Sequence, residues 1–385
     1  MKLLVDGVFF QLARTGIARV WSSILPRLAN QPGMEIVMLD RGGCPPIAGV
    51  ERVEVPSYTM RAHTAADSFL IDKFCRELGV DVFTSTYYTT PVTVPSVLVV
   101  YDMIPEVLGF DLNQRPWQEK QIAISFASYY ACISENTRAD LKRFYPSIPS
   151  DRSIVTHCGV DRDVFQPRKQ ALVEDFKRRY NVSNTYYVLV GSRKQHQNYK
   201  NTSVVFNALQ AFRDAEIEIL CIGGEAEIEQ DILRRLPGNV TARRVDLADD
   251  ELACAYSGAQ ALVFSSLYEG FGMPVIEAMA CGCPVITTKF GALGEVAGDA
   301  AIFVSGRDQD ELAEAMVEVG QPARRKQLIE SGLRQAALYN WDAMARGIND
   351  LLEKAADERE TPVMQEFFGD WKRLRAIQAE VDGAI

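Results

Sequence analysis

Short, continuous apolar runs alternate with helical patterns along nearly the whole chain, and this alternation does most to restrict its fold. Runs at 2–8, 35–39, 80–85, 97–103, 129–134, 186–190, 216–222, 261–265, 284–287 and 301–304 read as strands. Helical stretches at 16–29, 135–145, 198–212, 249–259 and 309–319 lie between many of them. A strand that is apolar at successive positions, rather than at every second one, must be covered on both faces. Parallel sheets flanked by helices supply that cover, so the chain reads as α/β. So many strands in one open sheet would be unusual, which calls for two sheets, and a length of 385 residues suits two domains.

The segment 148–170, rich in Pro, Asp, Arg and Ser, is the expected boundary. We expect a Rossmann-like N-terminal domain over 1–165, completed by a C-terminal helix within 362–385, and a second Rossmann-like domain over 166–361. Beyond 304 the pattern is helical, and Trp341, Phe367, Phe368 and Trp371 need a surface to pack on. Two doubly wound domains facing a central cleft bind ligands at the carboxyl ends of their strands. That geometry alone does not choose among dehydrogenases, epimerases and transferases.

Charge and cysteine content remove several classes. A formal net charge of −10 lacks the basic excess that a nucleic-acid groove needs, so no nucleic-acid partner is expected. Most of the eight cysteines lie in apolar segments, which suits reduced core thiols, and Cys281-Gly-Cys283 has no second pair at zinc-finger spacing. His63, His157 and His196 lack ligand spacing, and Asp161-Arg-Asp163 and Asp308-Gln-Asp310 read as a linker turn and a helix start, so no metal is expected. No G-x-G-x-x-G follows a strand, which argues against a nicotinamide cofactor. The N-terminal apolar run breaks at Asp6, too early for a secretory signal, and nothing approaches the ~20 apolar residues of a membrane span. The expected location is cytoplasmic.

Chemistry concentrates in the loops. The run Ser265-Ser-Leu-Tyr-Glu-Gly-Phe-Gly-Met-Pro-Val-Ile-Glu277 ends a strand, turns on Gly270 and Gly272, and starts a helix near Pro274. Glycines let backbone approach a ligand, and a helix start offers free N–H groups, so the turn through Phe271 and Met273 suits a phosphate. Glu269 precedes the turn and Glu277 lies one turn into the helix. Isolated, such a pair would read as turn and surface residues. Upstream, Val190-Gly-Ser-Arg193 and Tyr199-Lys200-Asn201 place two cations after another strand.

The pattern Glu-Gly-Phe-Gly-x-Pro-x-x-Glu-Ala-Met-Ala-x-Gly-x-Pro-Val resembles the donor-site signature of family-4 retaining glycosyltransferases of the GT-B fold. That resemblance implies a nucleotide-sugar donor, with Arg193 and Lys200 on its diphosphate, Glu269 on the sugar and Glu277 on the ribose. Thr15-Gly16-Ile-Ala-Arg19 resembles the glycine loop that closes over the donor, without the lysine of starch and glycogen synthases. Tyr101-Asp102 stands where many members have His-Asp near the reacting sugar. The resemblance spans roughly residues 2–341 and is weaker in the first half, where a saccharide or lipid-linked saccharide acceptor should bind. It implies no protein nucleophile and no cofactor. The segment at 101–105 is similar to bacterial O-antigen and capsule enzymes, which favours a GDP-mannose-like donor and surface-polysaccharide synthesis. A lipid-linked acceptor implies peripheral contact with the inner face of the membrane. A sugar-nucleotide epimerase on the same architecture stays open as the alternative.

Overall fold

The computed structural model describes residues 1–13, 15–59, 64–182, 185–193 and 199–384. It contains two parallel sheets. The first runs through β1 (Lys2–Asp6), β2 (Glu35–Asp40), β3 (Val50–Glu54), β4 (Val82–Ser85), β5 (Ser96–Val100), β6 (Tyr129–Cys132) and β7 (Ser153–Val155), in the order β3-β2-β1-β4-β5-β6-β7. The second runs through β8 (Tyr186–Val190), β9 (Ile217–Ile222), β10 (Val240–Val245), β11 (Leu262–Phe264), β12 (Val285–Thr287) and β13 (Ile302–Phe303), in the order β10-β9-β8-β11-β12-β13. Each order reverses once, at β1/β4 and at β8/β11, and a doubly wound sheet opens a crevice at such a point. Both domains are thus Rossmann-like.

Burial explains which strands form the middle of each sheet. Leu3, Leu4 and Val5 on β1, and Val188 on β8, are wholly or almost wholly buried, as strands covered on both faces require. In register, Val190 lies opposite Ile222, so the loops after β8 and β9 leave the sheet side by side. Helix ends follow their sequence signals. Ser134 accepts from the Thr137 N–H at 3.0 Å, and Asp308 accepts from the N–H groups of Asp310 and Glu311, each starting a helix. A buried Arg41 joins Asp6 at the end of β1 to Asp67, with N–O distances of 2.8 Å to both. The eight cysteines are free thiols, all buried except the half-buried Cys254.

Two compact units emerge: Met1–Cys158 with everything from Trp341 onward, and Gly159–Asn340. The chain therefore returns to the first unit at Trp341, one helix earlier than the return expected within 362–385, and leaves it at Cys158 rather than at 165. The helix Trp341–Glu358 packs on the helix Gly16–Ala29 and against β4, β5 and β6, with Trp341, Met344, Ile348, Leu351 and Leu352 buried along one face. The helix Pro362–Ala384 then packs on Thr64–Leu78. Among the described residues no helix is long and apolar enough to cross a membrane.

Candidate functional site

In the second unit, the loops after β8 and β11 meet at the point where the strand order reverses. The loop after β11 carries the glycine turn. Gly272 adopts φ +101° and starts the helix Met273–Ala280; a Cβ there would also stand 2.7 Å from Leu293 Cδ2. Glycine is required on both counts. Gly291, at φ +58°, passes so close behind Glu269 that a Cβ would lie 2.5 Å from its carbonyl oxygen. The Ala292 N–H donates to that same oxygen at 2.9 Å, fixing the backbone of Glu269 from behind.

On the front of the turn, Lys200 Nζ donates to Glu269 Oε1 at 2.6 Å. Both side chains keep some exposure, 23% for Lys200 and 12% for Glu269, so the pair is reachable by a ligand. Lys200 also lies 5.0 Å from the Tyr199 ring centroid and 5.6 Å from that of Phe264, in cation–π range. Glu277 is buried within the helix Met273–Ala280, beneath the turn.

Asn201 holds the arrangement together, and the sequence pattern did not single it out. It adopts the left-handed conformation at φ 51°, which asparagine tolerates better than most residues. Its amide donates to Ser265 O at 3.1 Å and Gly306 O at 2.6 Å, while its own carbonyl accepts from Ser265 Oγ at 3.0 Å. The Leu267 N–H donates to Tyr199 O at 2.6 Å. The loops after β8, β11 and β13 are thereby tied next to Lys200. An Asn directly before an apolar helical run was the available signal, since that is an N-cap position.

Arg193 sits differently from the expectation that it reaches over the sheet edge. Its side chain is fully buried and donates to Gly223 O at 2.9 Å and to Glu225 O, both in the loop after β9. The Arg193 N–H donates to Glu225 Oε2 at 2.6 Å, and Arg193 Nε is buried without a hydrogen-bond partner among the described residues. A cavity of about 370 Å³ adjoins it, lined also by Thr202, Ser203, Glu229, Asp231, Ile232 and Arg235. The structure therefore brings Lys200 to Glu269, and turns the Arg193 guanidinium toward β9.

The other candidates belong to the first unit. Gly16 opens the helix Gly16–Ala29, and the Arg19 N–H donates to Thr15 O at 3.1 Å in its first turn. Tyr101 is buried; its hydroxyl accepts from Trp21 Nε1 at 2.5 Å and donates to Thr86 O at 3.2 Å. That phenol braces the helix Gly16–Ala29 against the ends of β4 and β5. Asp102 follows β5 and accepts the Ile104 N–H at 2.9 Å through Oδ1. Lys120, almost fully buried, donates to Asp102 O at 2.9 Å and Glu106 Oε2 at 2.7 Å, fixing this loop from beneath. Among the described residues no three His, Cys, Asp or Glu side chains are grouped to hold a metal ion. His63 and His196 lie outside the described residues.

Comparison with known proteins bears on this geometry. The family model for glycosyl transferases group 1 matches residues 185–321, which include both loops of the site. O-antigen chain mannosyltransferase B of Escherichia coli is 27% identical over 240 residues, covering 59% of this chain and 61% of that protein. The MMP alpha-(1->4)-mannosyltransferase of Mycolicibacterium hassiacum is 26% identical over 229 residues, covering 58% and 53%. The chain thus spans between half and two thirds of the length of these curated relatives. Sucrose-phosphate synthase from Thermosynechococcus elongatus superposes with a TM-score of 0.73 at 18% identity, covering 92% of this chain and 98% of that one. HepE from Anabaena, in complex with UDP-glucose, gives 0.71 at 16% identity, covering 92% and 100%. At such identities the structural likeness speaks for the fold alone. The chain accordingly has the two Rossmann-like domains of the GT-B fold, and its residues 185–321 match the glycosyl transferases group 1 family.

Proposed function

We propose that the protein is a retaining, metal-independent glycosyltransferase that moves a hexosyl group from a nucleotide-sugar donor to a saccharide or lipid-linked saccharide. The observation that carries this reading is the Lys200–Glu269 pair at 2.6 Å beside the glycine turn. A cation, a carboxylate and the N–H groups of a helix start converge there, which suits a diphosphate joined to a polyhydroxylated ring.

In such a reaction the bond from the anomeric carbon to the leaving phosphate oxygen loosens first. Positive charge spreads over the sugar ring and negative charge grows on the departing diphosphate. Lys200 and the amides of Gly270–Met273 stabilise the leaving group, and they do so more strongly as its charge rises. Once the diphosphate draws Lys200 away, Glu269 is released to hold sugar hydroxyls. Arg193 contributes when its guanidinium exchanges the carbonyls of the β9 loop for phosphate oxygens; its Nε, without a partner among the described residues, favours that exchange. Glu277 takes the ribose hydroxyls. Gly16 takes part in donor binding, while Asp102 and Arg19 act on the acceptor and sugar side. Tyr101, with its hydroxyl enclosed, acts through the helix it braces.

The mannosyltransferase relatives favour a GDP-mannose-like donor and a role in surface-polysaccharide synthesis, in the cytoplasm at the inner face of the membrane. The test is incubation with GDP-mannose, UDP-glucose, dTDP-rhamnose and ADP-glucose, each with and without saccharide acceptors. Products are read by NMR for anomeric configuration. Acceptor-dependent release of the nucleoside diphosphate with the donor's configuration kept supports the reading. Conversion of the donor sugar without any acceptor would make the protein an epimerase instead. Activity should survive EDTA; loss that added magnesium or manganese restores would overturn the metal-free assignment.

A further inference from the structure

Lys120 is a buried cation for which the proposed reaction has no direct use. It stands on the helix Arg115–Phe126, which packs against β5, and its side chain is only 1% exposed. Its partner Glu106, with a side chain 3% exposed, lies in the one-turn helix Ile104–Val107. Lys120 Nζ donates to Glu106 Oε2 at 2.7 Å and to Asp102 O at 2.9 Å. Their chain neighbours are core residues: Met103 and Pro105 on one side, Ala123 and Ile124 on the other, are all buried.

Stability alone does not account for an ion pair in this place. Two charges taken from water lose hydration that their attraction offsets only in part, and apolar side chains of similar volume would join the two helices at least as well. What an apolar pair lacks is the power to fix a carbonyl oxygen at a chosen point. Lys120 grips the loop after β5 twice, at the carbonyl of Asp102 ahead of the helical turn and at the side chain of Glu106 within it. Between those points the loop closes on itself. The Ile104 N–H donates to Asp102 Oδ1 at 2.9 Å, and the Val107 N–H donates to Met103 O at 2.8 Å. Lys120 therefore sets the backbone of Asp102, and Ile104 sets the direction of its carboxylate. This loop leaves the carboxyl end of β5, the end at which doubly wound sheets bind ligands.

Enclosure rules Lys120 out as a group that touches substrate. We propose that it is a positioning residue: through Glu106 and the Asp102 carbonyl it fixes the loop after β5, and with it the Asp102 carboxylate on the sugar side of the reaction. The consequence for sugar transfer rests on the glycosyltransferase reading; the fixing of the loop does not.

Removing one charge strands the other in the core, so Lys120→Met alone should melt well below wild type. The informative protein is the full chain with Lys120→Met and Glu106→Leu together, which should recover most of the melting temperature. In it, the Ile104 and Val107 amides should exchange with deuterium about tenfold faster than in wild type, the factor that one hydrogen bond is worth. Turnover should fall by about 10², the scale of a misplaced group, with the donor KM nearly unchanged. Lys120→Arg, which keeps a cation and its donors, should retain most of both properties. In an Asp102→Ala background the paired change should cost no further turnover, because it acts through that side chain. Wild-type exchange at Ile104 and Val107 in the double variant overturns the proposal. So does an equal loss of melting temperature in the single and double variants, since the pair would then serve stability itself. Wild-type turnover, or an undiminished further loss in the Asp102→Ala background, overturns the role in transfer. Should the wild type turn over no sugar nucleotide, the glycosyltransferase reading falls, and the exchange at Ile104 and Val107 alone decides whether Lys120 fixes the loop.

Discussion

Asn201 contacts no ligand in the proposed reaction, yet the position of Lys200 depends on it. Replacing its amide by a carboxylate sets a negative oxygen against the carbonyls of Ser265 and Gly306, two acceptors that now receive N–H groups. Asn201→Asp should lower kcat/KM by about 10², the scale at which a misplaced reacting group costs rate. Asn201→Gly, which keeps the left-handed backbone and removes only the bonds, should lose less. Steady-state kinetics on both variants, with thermal melts to follow stability, checks this order. Glu269→Gln should depress kcat strongly, because it removes a sugar contact. Glu277→Gln should chiefly raise the donor KM, because ribose contacts change little between ground and transition states. The same kinetics separates them, and wild-type turnover in Glu269→Gln would remove the residue from the mechanism. The candidate residues were visible in the sequence where the loop itself sets their place: the glycine turn puts Glu269 next to whatever the turn holds. The seat of Arg193 was hidden, because it depends on carbonyls of Gly223 and Glu225, some thirty residues away.

Among the elements, the C-terminal helix Pro362–Ala384 is docked partly through ionisable groups. Arg375 is buried on it, and Glu119 is buried on the facing helix Arg115–Phe126. Burial pushes the Glu119 carboxyl up to about 7, against the opposing pull of Arg375 and Arg115 and with support from Asp67 and Asp382. A carboxyl with a raised folded-state pKa binds a proton that the unfolded chain releases. Its contribution to stability is therefore full below pH 4.5, the ordinary value, and is lost as pH rises through about 7. Relative to wild type, Glu119→Gln should gain melting temperature as pH is raised from 5 to 8, as differential scanning calorimetry would show. A constant difference across that range would refute the assignment. Elements differ in legibility for a related reason, solvation. The central strands announce themselves as apolar runs because both faces are covered. The strands missed at sequence level are β3, β7 and β10, and each is the edge of its sheet. Val-Glu-Arg-Val-Glu on β3 and Val-Thr-Ala-Arg-Arg-Val on β10 carry the charges that an edge strand needs against stray pairing.

At the level of the whole molecule, Lys200, Glu269 and the glycine turn, proposed to hold the nucleotide sugar, all lie in one unit. A nucleoside diphosphate should therefore stabilise Gly159–Asn340 selectively. Hydrogen exchange with and without GDP or UDP checks this: protection should rise along the loops after β8 and β11 and stay level at Phe9 and Tyr87. Equal protection in both places would mean that the nucleotide is read elsewhere. The division into units was only partly legible, because a helix pattern does not name the surface it packs on. Trp341–Glu358 looked like a continuation of the second domain and instead completes the core of the first. That detour has a consequence for how the protein is made. Gly159–Asn340 is continuous, so it has all of its chain before synthesis ends. The unit begun first must keep Val99, Trp21 and their neighbours waiting until Trp341–Glu358 leaves the ribosome. A nascent chain halted just short of that helix would present a finished domain beside an open one, and the open one is where chaperones should bind.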